Sequence, residues 1–174
     1  MYETILNSIK PVLVLVIIQT TCFISTTLGK SNADTTTTPD LKLTDAYGKT
    51  ITISALKGKV VFINFWATWC QPCIQEMPTI QALKESFKDN DSIVFLTVDI
   101  DGDLPKSNAY MEKKKYSLPV YAAPTAVPRE YYYHTIPATD ILGKYGDIIW
   151  RVDGGFDYSS PEVRKILTDL IESK

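Results

Sequence analysis

Phe65-Trp66-Ala67-Thr68-Trp69-Cys70-Gln71-Pro72-Cys73-Ile74-Gln75-Glu76-Met77-Pro78 is the stretch on which the fold turns. The run before it, Val60-Val61-Phe62-Ile63-Asn64-Phe65, is nearly continuous in apolar residues, as a central strand covered on both faces requires. After it, Ile74, Met77, Ile80, Leu83 and Phe87 recur three or four apart, which predicts a helix from about Pro72 to Phe87 with that stripe buried. Pro72 suits the first turn, where a backbone N–H would have no partner. Pro78 falls inside the helix, removes one backbone bond and predicts a kink. Cys70 therefore stands at a strand-to-helix junction, where unpaired N–H groups and the helix dipole favour an anion. A thiolate is the nucleophile of disulfide exchange, so Cys70 is the candidate attacking thiol. Cys73 lies one turn on, on the same face, close enough to close a small redox-active disulfide ring and to act as the more buried, resolving thiol.

Working outward, Leu41-Lys42-Leu43 and Thr50-Ile51-Thr52-Ile53 alternate apolar and polar around Asp45-Ala46-Tyr47-Gly48-Lys49, a β-hairpin pattern. Ile93 to Val98 reads as a second buried strand, and strand–helix–strand implies a right-handed parallel crossover. A polar helix is expected over Ser107 to Tyr116 and a short strand at Val120-Tyr121-Ala122. Pro124 to Thr135, with Tyr131-Tyr132-Tyr133-His134, is expected to hold at least one helical turn; its tyrosines suit either a substrate-facing rim or a turn with one ring buried. Thr139-Asp140-Ile141-Leu142 and Ile148-Ile149-Trp150-Arg151-Val152 flank a glycine-containing turn and form an antiparallel hairpin. Ser160-Pro161-Glu162 opens a last helix, whose stripe is Val163, Ile166, Leu167, Leu170 and Ile171.

The N-terminal 29 residues read as an export segment. No charged residue occurs from Pro11 to Gly29, and Lys10 and Lys30 flank the apolar run. Its length is near the lower limit for spanning a bilayer. A cleaved signal peptide, a retained membrane anchor and a lipoprotein signal with Cys22 lipidated all fit, although Gln19-Thr20-Thr21 makes a poor lipobox. Residues 30–40, rich in threonine, are a polar linker, and residues 41–174 are the domain. Each alternative exports the domain, to a periplasmic or cell-envelope location.

A chain of 174 residues with a net charge of −2 has room for one real core and gives no reason to expect nucleic acid as partner. Three cysteines are too few for a structural disulfide framework, so the Cys70/Cys73 pair is read as functional. Zinc would need two further ligands, and only Cys22, in the export segment, and the lone histidine, His134, remain. No metal and no cofactor is expected. Trp66 is expected in the core, and Trp69 as a partly exposed lid beside Cys70, on the substrate-binding side.

These residues resemble the active site of the thioredoxin superfamily, and more narrowly its TlpA/ResA-like branch of membrane-tethered or secreted thiol–disulfide oxidoreductases. The resemblance is carried by Gly58-Lys59-Val60-Val61, by Asn64 through Cys73, by Glu76-Met77-Pro78 and by Ile136-Pro137, and spans roughly Leu41 to the C-terminus. It implies an α/β, thioredoxin-like three-layer fold: a central mixed β-sheet flanked by helices, with an N-terminal β-hairpin extension. It also implies site roles. Thioredoxins proper carry a buried aspartate six residues before the first cysteine, where this chain has Asn64. The TlpA/ResA-like branch has a glutamate where Glu76 stands, so Glu76 is the candidate proton carrier for Cys73, with a pKa raised by partial burial. Pro137 matches the superfamily's cis-proline, and Ile136 would hydrogen-bond an extended substrate strand. Ala138-Thr139-Asp140 departs from the family pattern, because Asp140 is polar where an apolar residue is common. The activity implied is exchange with protein disulfides or dithiols, as a reductant serving extracytoplasmic proteins such as apocytochromes c and itself kept reduced by a membrane electron donor. A thiol peroxidase would need a Thr-x-x-Cys pattern, and Thr68 is one residue too close to Cys70. A non-catalytic binding module with the same fold is the rival from another class.

Overall fold

The computed structural model describes residues 38–123, 126–131 and 135–173. The hairpin strands are β1 (Lys42–Thr44) and β2 (Thr50–Thr52), followed by a short 3-10 turn, Ile53–Leu56. Then come β3 (Val60–Trp66), α1 (Gln71–Ser86), β4 (Ile93–Asp99), α2 (Leu104–Lys114), β5 (Val120–Ala122), β6 (Ala138–Leu142), β7 (Ile148–Asp153) and α3 (Pro161–Glu172). One mixed seven-stranded sheet runs in the order β2-β1-β5-β4-β3-β6-β7. β3 pairs parallel with β4, and β4 with β5, whereas β3–β6 and β6–β7 are antiparallel. β7 therefore points the same way as β3. The ends of β3, β4 and β7 and the start of β6 all meet at one edge of the sheet.

Every residue of β3 is buried, as its apolar run predicts. Alternate side chains feed two cores. Val60, Phe62 and Trp66 join a cluster with Met77 and Ile80 of α1, Met111 of α2 and Val163 and Leu167 of α3. Val61, Ile63 and Phe65 join another with Leu41, Leu43, Ile53 and Tyr131. The helices cover the first face; the 3-10 turn, the hairpin and the segment around Tyr131 cover the second.

Several local expectations shift. α1 spans 16 residues with Pro78 inside it, close to the expected helix, but of its expected buried stripe Ile74 and Phe87 are only partly buried, while Glu76 is fully so. α2 starts at Leu104, three residues before the expected Ser107, because Asp103 caps it by accepting from Lys106 N and Pro105 occupies the first turn. It stops before Tyr116 because Lys115 adopts a left-handed conformation, φ 58°. Within the segment 124–135, where a helical turn is expected, residues 126–131 form a turn and no helix, and 124, 125 and 132–134 lie outside the described residues. In α3 Ile166 is exposed, although Ser160 caps the helix as its sequence predicts. No described helix is long and apolar enough to cross a membrane. The export segment with Cys22, and Tyr132, Tyr133 and His134, lie outside the described residues.

Candidate active site

Cys70 is the N-cap of α1. Its backbone is extended, φ −78° and ψ 103°, and its Sγ accepts from Cys73 N at 3.3 Å. Sulfur thus occupies the place where a capping oxygen would satisfy an orphan N–H, the arrangement that favours a thiolate there. Cys70 and Cys73 form a disulfide, with Cα atoms 5.2 Å apart. Cys73 is fully buried and Cys70 nearly so.

Glu76 follows one turn later and is only 2% exposed. Its Oε1 accepts from Asn64 Nδ2 at 2.8 Å and its Oε2 from Phe156 N at 3.1 Å. Neither donor is a cation. Burial pushes the carboxyl up from 4.5 to about 7, against the two hydrogen bonds, which pull it down. It can therefore gain or lose a proton near neutrality.

The sheet supplies the floor. Antiparallel register sets Asn64 of β3 opposite Thr139 of β6, and Asn64 Nδ2 donates to Thr139 Oγ1 at 2.9 Å. The Ile136–Pro137 peptide bond is cis. Pro137 precedes β6, and its carbonyl accepts from Gly154 N at 2.8 Å. That bond begins a loop that runs from the end of β7 across the first turns of α1. Gly155 abuts Pro72, Phe156 N reaches Glu76, and Tyr158 N donates to Thr79 Oγ1 at 3.1 Å. On the β4 side Trp69 is 62% exposed, and its indole N–H donates to Asp101 at 2.6 Å. Cys70, Cys73, Glu76, Pro137 and Trp69 thus belong to elements that converge on one sheet edge, and Ile136 is half-buried beside Pro137. Tyr131 does not join them, because it is buried in the second core. Among the described residues no cluster of three or more His, Cys, Asp or Glu could hold a metal ion.

This geometry, a capped cysteine pair at the end of a central strand with a cis-proline before a neighbouring one, has relatives. A model of the AhpC/TSA family matches residues 35–150. The chain belongs to the AhpC/TSA family. The thiol-disulfide oxidoreductase ResA of a Bacillus cereus strain is 30% identical over 117 residues, 67% of this chain and 67% of that protein. The thioredoxin-like protein YneN of Bacillus subtilis is 30% identical over 111 residues, 63% of this chain and 65% of that one. Among solved structures, the pneumococcal exposed lipoprotein thioredoxin from Streptococcus pneumoniae is 25% identical with a TM-score of 0.61, over 76% of this chain and all of that one. StoA from Bacillus subtilis, at 22% identity and a TM-score of 0.60 over 73% of this chain and 95% of its own, shares the fold. This AhpC/TSA family member is a thiol–disulfide oxidoreductase of the ResA/TlpA type with a thioredoxin-like fold.

Four site residues escape a linear reading of the family member. Asn64 looks there like a missing acid, yet it is a donor to Glu76. Thr139, Phe156 and Asp101 contribute through hydrogen bonds whose partners lie between 32 and 80 residues away along the chain. Only Thr139 had a usable signal, because strand register in a β3–β6 pair brings it opposite Asn64.

Proposed function

We propose that this chain reduces disulfides of extracytoplasmic proteins through Cys70, Cys73 and Glu76. The single observation that carries the reading is the buried Glu76 carboxyl, poised near neutrality, one turn beyond a helix-capping cysteine pair. In the reduced enzyme the Cys70 thiolate attacks a substrate disulfide. The substrate S–S bond breaks, one substrate sulfur leaves as a thiol, and a mixed disulfide joins Cys70 to the other. Glu76 then takes the Cys73 proton. The Cys73 thiolate attacks Cys70 Sγ, and the second substrate sulfur leaves and collects a proton. Two electrons pass to the substrate, and the Cys70–Cys73 disulfide remains for a membrane electron donor to reduce.

Trp69, Ile136 and Pro137 form the substrate-binding edge in this proposal: Ile136 offers backbone groups to an extended strand and Trp69 borders the thiols. The uncharged, apolar run from Pro11 to Gly29, read as a signal or anchor, supports an extracytoplasmic, cell-envelope site of action. The likeness to an exposed lipoprotein thioredoxin supports it as well. Apocytochromes c awaiting haem are one substrate class that fits a reductant in that place, as the TlpA/ResA resemblance implies.

Insulin reduction with dithiothreitol as electron source tests the chemistry. Cys70→Ser is expected to abolish turnover. Cys73→Ser is expected to accumulate a mixed disulfide that can be isolated with its partner still attached. Turnover that survives Cys70→Ser would reduce the site to a binding module and sink the proposal.

A further inference from the structure

Asn64 holds an arrangement that the exchange steps leave unexplained. Its side chain is fully buried between β3 and α1. Nδ2 serves two acceptors, Glu76 Oε1 at 2.8 Å and Thr139 Oγ1 at 2.9 Å, while Oδ1, equally buried, accepts from no described residue. A buried acceptor without a donor costs about 1–3 kcal/mol. The structure accepts that cost to aim two N–H groups at Glu76 and Thr139, which is the right orientation for an ionised carboxylate and the wrong one for a carboxylic acid. Each Glu76 oxygen already accepts from a donor, Asn64 Nδ2 at Oε1 and Phe156 N at Oε2, so a new O–H on either one faces a donor; the backbone N–H is fixed, and the Asn64 amide can turn.

The two ends of an amide are nearly the same size, so a half-turn about the last torsion of Asn64 needs no repacking. It would bring Oδ1 to the place of Nδ2, within bonding reach of both Glu76 Oε1 and Thr139 Oγ1. The threonine hydroxyl both donates and accepts, and can follow by turning its proton toward Oδ1. One end of the amide is unpaired in either orientation. The turned amide leaves two buried N–H groups unpaired in place of one oxygen, so it is favoured only when the protonated carboxyl supplies the compensating bond. We infer that Asn64 is a positioning residue whose amide turns over with each proton that Glu76 takes up or gives away, donating to the carboxylate and accepting from the acid, with Thr139 Oγ1 reversing in step. Aspartate at position 64 could not do this, because a second carboxylate would compete for the proton instead of answering it. The inference rests on the proposal that Glu76 carries the Cys73 proton.

The other titratable groups facing this site are Cys73 on α1 and the Tyr158 phenol from the segment before α3. Burial first, opposed by the hydroxyl of Thr139 and reinforced by the Glu76 and Asp140 carboxylates, pushes that phenol well above its ordinary range, so it stays neutral throughout. In the oxidised protein Cys73 does not titrate. Asp140, next to Thr139 along β6 and held by Arg151, is raised to about 6 and titrates in the same range, so only movement that follows the Glu76 midpoint counts.

The experiment uses the full chain, oxidised, with labelled glutamate and asparagine, observed by NMR from about pH 5 to about pH 9. The expected result is that the Asn64 side-chain resonances move with the midpoint of the Glu76 carboxyl carbon. The scalar coupling across the hydrogen bond from Asn64 Nδ2 to Glu76 should be present above that midpoint and lost below it. A coupling that persists, or Asn64 resonances that stay still while Glu76 titrates, would overturn the inference and leave the Glu76 proposal standing. A Glu76 carboxyl that does not titrate at all would sink the proton-carrier proposal, and the inference with it.

Discussion

Glu76 titrates near 7 in the folded chain and 4.5 is its ordinary value, so between these two pH values the folded state holds a proton that the unfolded state has released. The folded state binds more protons there, and stability must fall as pH rises through the window. The fall is complete above about 7, and its size is on the order of 3 kcal/mol. Asp140, raised from 3.8 to about 6 chiefly by burial, adds a similar decline at lower pH, so the comparison has to be between variants. Glu76→Gln should remove its own part of the slope and make the oxidised protein more stable than the parent near pH 8, while slowing mixed-disulfide resolution and flattening its pH profile. Urea unfolding at a series of pH values checks the first effect and stopped-flow exchange the second. Parallel stability curves would mean that the carboxylate is better solvated than its burial implies. The sequence places Glu76 one turn after Cys73 on the same face, and the TlpA/ResA resemblance, not the spacing, singles it out. Neither brings the reader to what holds Glu76, since Asn64 and Phe156 reach the carboxyl only through tertiary contact.

The hairpin of β6 and β7 carries a carboxylate in a row of buried residues, at the position where the family pattern is apolar. Its answer lies in the register. Asp140 pairs across the hairpin with Arg151, whose Nε and Nη2 donate to the carboxylate at 2.7 and 3.0 Å. Nη2 also donates to the Glu130 carbonyl, which fastens the segment 126–131 against the sheet. A regular hairpin continued from Leu142 and Ile148 would set Asp140 opposite Trp150; the irregularity between Ile141 and Leu142 shifts the register by one residue and brings Arg151 there, which no pattern in the sequence announces. The start of α2 was legible, because Asp103 and Pro105 form a start signal outside the window chosen from periodicity. The segment 126–131 was not, because its place depends on Arg151 and not on any pattern of its own. Arg151→Met leaves Asp140 buried without its cation and should cost about 3 kcal/mol in urea unfolding. Adding Asp140→Leu should recover most of that loss, since an apolar pair suits the second core. If the double variant is no more stable than the single one, the pair does more than neutralise a buried charge.

At the scale of the whole molecule, the active edge and the N-terminal attachment occupy opposite faces of the sheet. The α1 face carries the thiols and Glu76. The other carries Tyr131, buried in the second core, whose hydroxyl donates to the Pro39 carbonyl at 2.7 Å. Beside it, the Asp40 carboxylate accepts from both the N–H and the hydroxyl of Ser54, each at 2.8 Å. The chain is therefore tied to the domain from Pro39 onward, on the face that carries the second core and not the thiols. A chain that begins at Thr38 keeps all three bonds and should reduce insulin as fast as the full chain, with the same urea midpoint. A chain that begins at Leu41 loses them and strands the Tyr131 hydroxyl, which should lower stability by about 2 kcal/mol without changing the pH profile of exchange. Both effects follow if the second face only anchors. A shift in the pH profile would instead show that the anchored face reaches Glu76 through β3 and β6, whose residues alternate between the two cores.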